Sequence, residues 1–221
     1  MTDALYNWPS AARVARRVPK EKFYAAGSVS GAARERFVTE VQQVTWAYKL
    51  AESTINLRAT DTVPEIQIFQ IEAKGEDVSE PVLAAIDKSI PFPIVFELSR
   101  GEKSARHTRM VAAQKQVGSS APKQSAYYST AWLPHDAERQ PLPTAITMPA
   151  LYAALLNPLL PLTTRVGEDL SAVAARLQTI QLLEREIASL ERKLRNEPQL
   201  NRKIELRRSR QTTQQELEKQ R

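Results

Sequence analysis

The sequence predicts an α/β body followed by a long helical tail. Three observations predict it. Short apolar runs with a period of two alternate with runs at helical spacing in the first part of the chain. All three Trp, six Tyr and five Phe lie between Tyr6 and Tyr152. From Arg165 to Arg221 there is no aromatic residue, and Leu and Ile recur at steps of three and four among Glu, Arg and Gln. The division expected is a body over 1–160 and a helical tail over 161–221. The joint is Asn157 to Asp169, which holds Pro158, Pro161 and Gly167. The body reads as a mixed sheet of about five strands flanked by helices.

The elements follow in order. Ser10 is placed to cap a short basic helix over Ala11 to Arg17, which Pro19 ends. One or two further turns fit Pro19 to Ala26. Ser30 caps a helix from Gly31 to about Gln43, with Phe37 and Val41 on one face. Val44, Trp46, Tyr48 and Leu50 alternate as a strand, and Ile55 and Leu57 mark a short partner strand. Glu65 to Lys74 is a strand apolar on both faces in part, which fits a central position or a bulge. Ser79 caps a helix opened by Glu80 and Pro81 and running to about Ser89. Ile94 to Leu98 is a short apolar strand, Arg109 to Lys115 and Ser125 to Leu133 are two more, and Gly118 to Gln124 is the loop between them. Thr147 caps a helix from Met148 to Leu156.

The tail has an apolar seam. Leu170, Val173, Leu177 and Ile180 step by three and four, and Leu183, Ile187, Leu190 and Leu194 continue after a slip. Pro198 interrupts the helix, at a cost of about 3 kcal/mol if it stayed inside one. A helical hairpin is the first expectation and one long bent helix the second.

Composition excludes several classes. With no cysteine, disulfides, thiolate metal sites and a cysteine nucleophile are absent. No run is apolar and long enough to span a membrane, and the N-terminus lacks a signal pattern, so a cytoplasmic protein is expected. The six glycines form neither a GxxxxGK nor a GxGxxG pattern, which argues against a nucleotide-hydrolysing motor. His107 and His135 stand alone, away from metal-ligand spacing.

Two patterns carry chemistry. Glu72-Ala73-Lys74 ends a strand, and alternate strand residues share a face. An acid, one residue and a lysine is the arrangement by which restriction-endonuclease-like folds hold Mg2+ and stabilise developing phosphate charge. Asp61 is the nearest candidate for the second acid, with Glu40 behind it, but no upstream Pro-Asp strand is present. Glu-x-Lys at a strand end is also a common solvated charge pair. The second pattern is basic: Arg13, Arg16 and Arg17 cluster near the start, and Lys203, Arg207 and Arg210 form a stripe on the last helix. That stripe can meet nucleic-acid phosphates, although Glu205, Glu216 and Glu218 dilute it.

The strings VTWAYKLAESTINL (Val44 to Leu57), EIQIFQIEAK, AIDKSIPFPIVFEL (Ala85 to Leu98), STAWLP (Ser129 to Pro134) and PQLNRKIEL (Pro198 to Leu206) together resemble the bacterial domain-of-unknown-function family numbered 4391. The resemblance covers nearly the whole chain. It implies a component of a DNA-directed, restriction-like anti-phage complex, since such genes stand beside helicases and DNA methyltransferases. It supplies no catalytic residues. Pro198 departs from the continuous tail helix that the family leads one to expect.

Two functions are therefore carried forward. In the first, the chain is a non-catalytic subunit without cofactor that docks on a helicase-like or methyltransferase partner through the tail seam. Self-association and direct contact with DNA stay open. In the second, it is a Mg2+-dependent nuclease using Glu72, Lys74 and Asp61.

Overall fold

The alternating run from Val44 to Leu50 lies within an eleven-residue strand of the body. The computed structural model describes residues 5–24, 29–102, 105–115, 124–162, 165, 168 and 170–221. In chain order the strands are β1 (Leu5–Tyr6), β2 (Arg13–Arg17), β3 (Val41–Ala51), β4 (Glu65–Ala73), β5 (Ile94–Arg100), β6 (His107–Lys115), β7 (Gln124–Ser129), β8 (Leu133–Pro134) and β9 (Arg139–Gln140). A seven-stranded sheet runs β2-β3-β4-β5-β6-β7, with β8 paired to β6. β4 and β5 are parallel, and the other neighbours in this sheet are antiparallel. β1 and β9 form a separate parallel pair. The helices are α1 (Glu21–Tyr24), α2 (Gly31–Glu40), α3 (Glu52–Ile55), α4 (Glu80–Ser89), α5 (Met148–Leu156), α6 (Leu170–Asn196) and α7 (Leu200–Gln220).

A parallel pair needs a crossover, and α4 provides it between β4 and β5. The burial of β4 explains its two-sided sequence. Ile66, Ile68, Phe69 and Ile71 are all buried, as expected of a strand covered on both faces. The bulges sit in the partner strand: the β3–β4 register shifts at Gln42 and again at Ala47. One face of the sheet packs Phe69, Ile71, Phe96 and Leu98 against Phe37 of α2 and Val82, Leu83 and Ile86 of α4. On α5, the Tyr152 hydroxyl donates to the Ala113 carbonyl at 2.7 Å and accepts from the Lys115 amide at 3.1 Å. Burial pushes that phenol well above its usual pKa.

Ser30 and Thr147 cap as expected, accepting from the amides of Ala33 at 3.2 Å and Ala150 at 3.3 Å. Four expectations are corrected. Arg13 to Arg17 is a strand, not a helix; only Ser10–Ala12 makes a 3-10 turn. Pairing with Trp46 and Thr45 outweighs the helical preference of its Arg and Ala. Ile55 belongs to a helical turn, because Thr54 Oγ accepts from the Ala51 amide at 2.9 Å and donates to the Lys49 carbonyl at 2.8 Å. Ser79 holds the N-cap place of α4 without a capping bond; its amide instead donates to Glu40 Oε2 at 2.7 Å. The apolar run of β5 also carries a buried acid, Glu97. The expected loop from Gly118 falls mostly outside the described residues.

The chain divides into two compact units, Met1–Pro161 and Leu162–Arg221. In the second, α6 and α7 pack together, joined by the turn at Pro198. Arg176 donates to the Gln220 carbonyl at 3.0 Å and Arg210 pairs with Glu191 at 3.2 Å, so the two helices run antiparallel. This is the hairpin, not the bent helix. Among the described residues no helix is long and apolar enough to cross a membrane.

Candidate functional site

Parallel strands open a crevice at their carboxyl ends. Here β4 ends in Glu72 and Ala73, and Ser99 stands beside Glu72 in the β4–β5 register. A cleft of about 620 Å³ lies at this end, lined by Gln42, Glu72, Lys74, Ser99, Glu102 and Arg106 among others. Gly101 shapes it. Its φ is +77°, and an added Cβ would lie 2.5 Å from the Ala105 carbonyl oxygen. The tight turn this permits brings Arg106 back over the strand ends. One Arg106 guanidinium nitrogen donates to Ser99 Oγ at 2.8 Å and to Glu72 Oε1 at 3.1 Å.

Glu72 and Lys74 thus line one cleft, as the strand-end spacing predicts, but each is engaged by its own partner. The Lys74 ammonium donates to the Val38 carbonyl at 2.7 Å, at the end of α2. Asp61 is not brought to them. It lies in the loop before β4, whereas Glu72 lies at the far end of that strand, roughly 20 Å away at the rise of an extended chain. Glu40 is nearer, since its carbonyl accepts from the Lys74 amide at 2.8 Å. Its carboxylate, however, takes the Ser79 amide and faces Arg36 at 3.8 Å. Gln43, not an acid, stands opposite Glu72 across the β3–β4 ladder. Among the described residues no group of three or more His, Cys, Asp or Glu side chains is placed to hold a metal ion. His107 turns its Nδ1 to the Ala105 carbonyl, 2.9 Å away.

Sequence reasoning missed Arg106 and Ser99. No local pattern marks them; the Gly101 turn brings Arg106 to the site. It also missed two buried charged networks, for which a signal existed. Glu97 interrupts an apolar strand, and a buried carboxylate requires partners. It accepts from Trp8 Nε1 at 2.8 Å, Gln70 Nε2 at 3.0 Å and Arg139 Nη1 at 2.7 Å. These bonds tie the β1–β9 pair to the sheet. Asp87 of α4 takes the Lys115 ammonium at 2.9 Å and the Tyr127 hydroxyl at 2.9 Å. Burial raises the Asp87 carboxyl above its usual pKa, with Lys115 and Tyr127 opposing the shift.

The tail residues divide by burial. Val173, Leu177 and Ile180 are buried in the folded chain, which corrects their expected role as a free seam. The Leu170 side chain lies outside the described residues. Leu183, Ile187, Leu190 and Leu194, toward the turn, are half-buried. On α7, Leu206 is half-buried and Leu217 buried. Leu200 and Ile204, one helical turn apart on α7, are exposed. Of the basic stripe, Arg207 and Arg210 are exposed and Lys203 half-buried, while Glu191 neutralises Arg210.

No curated protein and no solved structure matches the chain. A family model described as a domain of unknown function, DUF4391, matches residues 6–217. The chain therefore belongs to the DUF4391 family.

Proposed function

We propose that the protein is a non-catalytic interaction subunit of a DNA-directed, restriction-like defence complex, and that its C-terminal helical hairpin docks on a helicase-like or DNA methyltransferase partner. One observation carries this reading. The hairpin is a compact unit of its own, and its turn half keeps an apolar surface that the chain does not bury. Ile187, Leu190 and Leu194 are half-buried and Leu200 and Ile204 are exposed, a pattern suited to a helix-in-groove contact. The class of partner comes from the family resemblance, and cytoplasmic location follows from the same reading. The test is co-expression with helicase-like and DNA methyltransferase proteins of the native host. The wild-type chain is expected to co-purify with one of them, and Leu200→Glu/Ile204→Glu to lose it while melting at the same temperature. Unchanged co-purification by this variant contradicts the proposal.

The cleft supports a second reading, a Mg2+-dependent nuclease, because Glu72 and Lys74 share it. The donor set fits a divalent cation poorly. Glu72 is bound to a guanidinium, and Asp61 lies at the other end of β4. Metal-dependent nicking of DNA, lost in Glu72→Ala, is the result that favours this reading over the first.

A further inference from the structure

The edge strand β2 carries Arg13, Arg16 and Arg17, and all three are exposed. Among the described residues none of them, nor Lys22, has a carboxylate at ion-pair distance. Lys20 lies in the same field. Its ammonium donates to the Phe37 and Val41 carbonyls. Its pKa is lowered first by burial, then by Lys74, with Glu21 opposing and Arg17 adding to the fall. Unpaired like charges held together on a surface favour an anionic ligand.

The same edge has an aromatic groove. A cavity of about 560 Å³ opens beside β2, with Arg16, Arg17 and Lys22 as cationic walls and Trp46, Phe69 and Phe92 as aromatic ones. That volume falls within the range of small-molecule sites, roughly 300 to 1,000 Å³. Trp46 and Phe92 are half-exposed, so a planar ring can reach them. The Trp46 indole N–H is buried without a hydrogen-bond partner among the described residues. That N–H is enclosed, so Trp46 meets a ligand through its exposed ring and not through this donor.

Two features choose among anionic ligands. Duplex DNA keeps its bases stacked inside, where a groove walled by aromatics cannot use them. An acidic peptide adding to the sheet edge needs a regular strand. β2 is irregular: Ala15 has a φ of +53° and the β2–β3 register shifts between Arg13 and Arg16. A single strand, with free phosphates and unstacked bases, matches both halves of the site.

We infer that the groove beside β2 binds single-stranded nucleic acid, with Arg16 and Arg17 on the phosphates and an unstacked base against Trp46 and Phe92. The site lies on the body and does not depend on the hairpin reading. The test uses the full chain with fluorescein-labelled oligothymidylate, oligouridylate, a duplex of equal length and a polyglutamate peptide, read by anisotropy across a salt series. The single strands are expected to bind with a steep salt dependence and to quench tryptophan fluorescence, and that quench is lost in Trp46→Phe. Arg16→Glu/Arg17→Glu is expected to weaken binding by about tenfold or more at an unchanged melting temperature. Lys203→Glu/Arg207→Glu is expected to leave it unchanged. The inference is overturned by absence of single-strand binding, by preference for the duplex or the peptide, or by loss of binding in the tail variant alone.

Discussion

Arg106 donates to Glu72 at 3.1 Å from 34 residues further along the chain, and the two side chains are about equally exposed, 41% and 42%. The pair holds the Gly101 turn over the cleft and occupies one oxygen of the carboxylate on which a metal-dependent reading would rest. Water screens a pair this exposed, so it contributes little to stability. Glu72→Gln is expected to shift the free energy of unfolding by less than about 1 kcal/mol, measured by urea denaturation. A larger loss would mean that the pair is coupled to packing beneath it.

Among the described glycines, Gly101 is the one whose geometry admits no side chain. At φ +77°, with a backbone oxygen 2.5 Å from where a Cβ would stand, Gly101→Ala must move the turn. Its expected cost is about 1–3 kcal/mol. Because the turn delivers Arg106, the variant is also expected to change the exchange protection of the Arg106 amide. A melting temperature equal to wild type would contradict this account of the turn.

Asp87 gives the protein a pH dependence of stability with a definite sign. Its folded pKa is raised, chiefly by burial. Between the ordinary carboxylate value and the raised one, the folded state therefore binds more protons than the unfolded state. Stability from this group is fully present below the ordinary value and falls as pH rises through the window. Urea midpoints measured across that window are expected to show this fall in wild type and not in Asp87→Asn. Asp87→Ala leaves the Lys115 ammonium, 4% exposed, without its counter-charge, and is expected to cost about 3–5 kcal/mol.

Glu97 holds Trp8 and Arg139 at once. Glu97→Ala leaves the indole N–H without its acceptor and the Arg139 guanidinium without its counter-charge, with an expected cost of about 2 kcal/mol or more. The β1–β9 pair depends on the same carboxylate, since Arg139 belongs to β9 and also donates to the Tyr6 carbonyl at 2.8 Å. Tryptophan emission is expected to shift to the red as Trp8 gains water. An unchanged spectrum would show that β1 is held by other contacts.

The elements legible in the sequence were those whose cause is local. Ser30 and Thr147 announce helices because a hydroxyl and an amide three residues on suffice. The alternation from Val44 to Leu50 announces a strand, but not the bulge at Ala47 that moves burial to Val44, Ala47 and Leu50. The seam and Pro198 announce two helices and a turn. What stayed hidden is set by distant partners. Arg13 to Arg17 has helix-forming residues, and only the edge of β3 makes it a strand. At the cleft, Glu72 and Lys74 could be placed on one face from their spacing alone. Arg106 could not, because it arrives through a turn in another loop. Glu97, an acid inside the apolar β5 run, is a visible hint of a long-range network, because a buried carboxylate requires partners.

The most direct measurement is the affinity of the full chain for the proposed helicase-like or methyltransferase partner, by isothermal titration, with Leu190→Glu and Leu200→Glu/Ile204→Glu beside wild type. Each substitution places a charge on the turn half of the hairpin, where Leu190 is half-buried and Leu200 and Ile204 are exposed. Docking through this surface predicts a loss of affinity of about 2 kcal/mol or more, near thirtyfold, in the double variant. Wild-type affinity in both variants, with the fold intact by circular dichroism, would contradict the account.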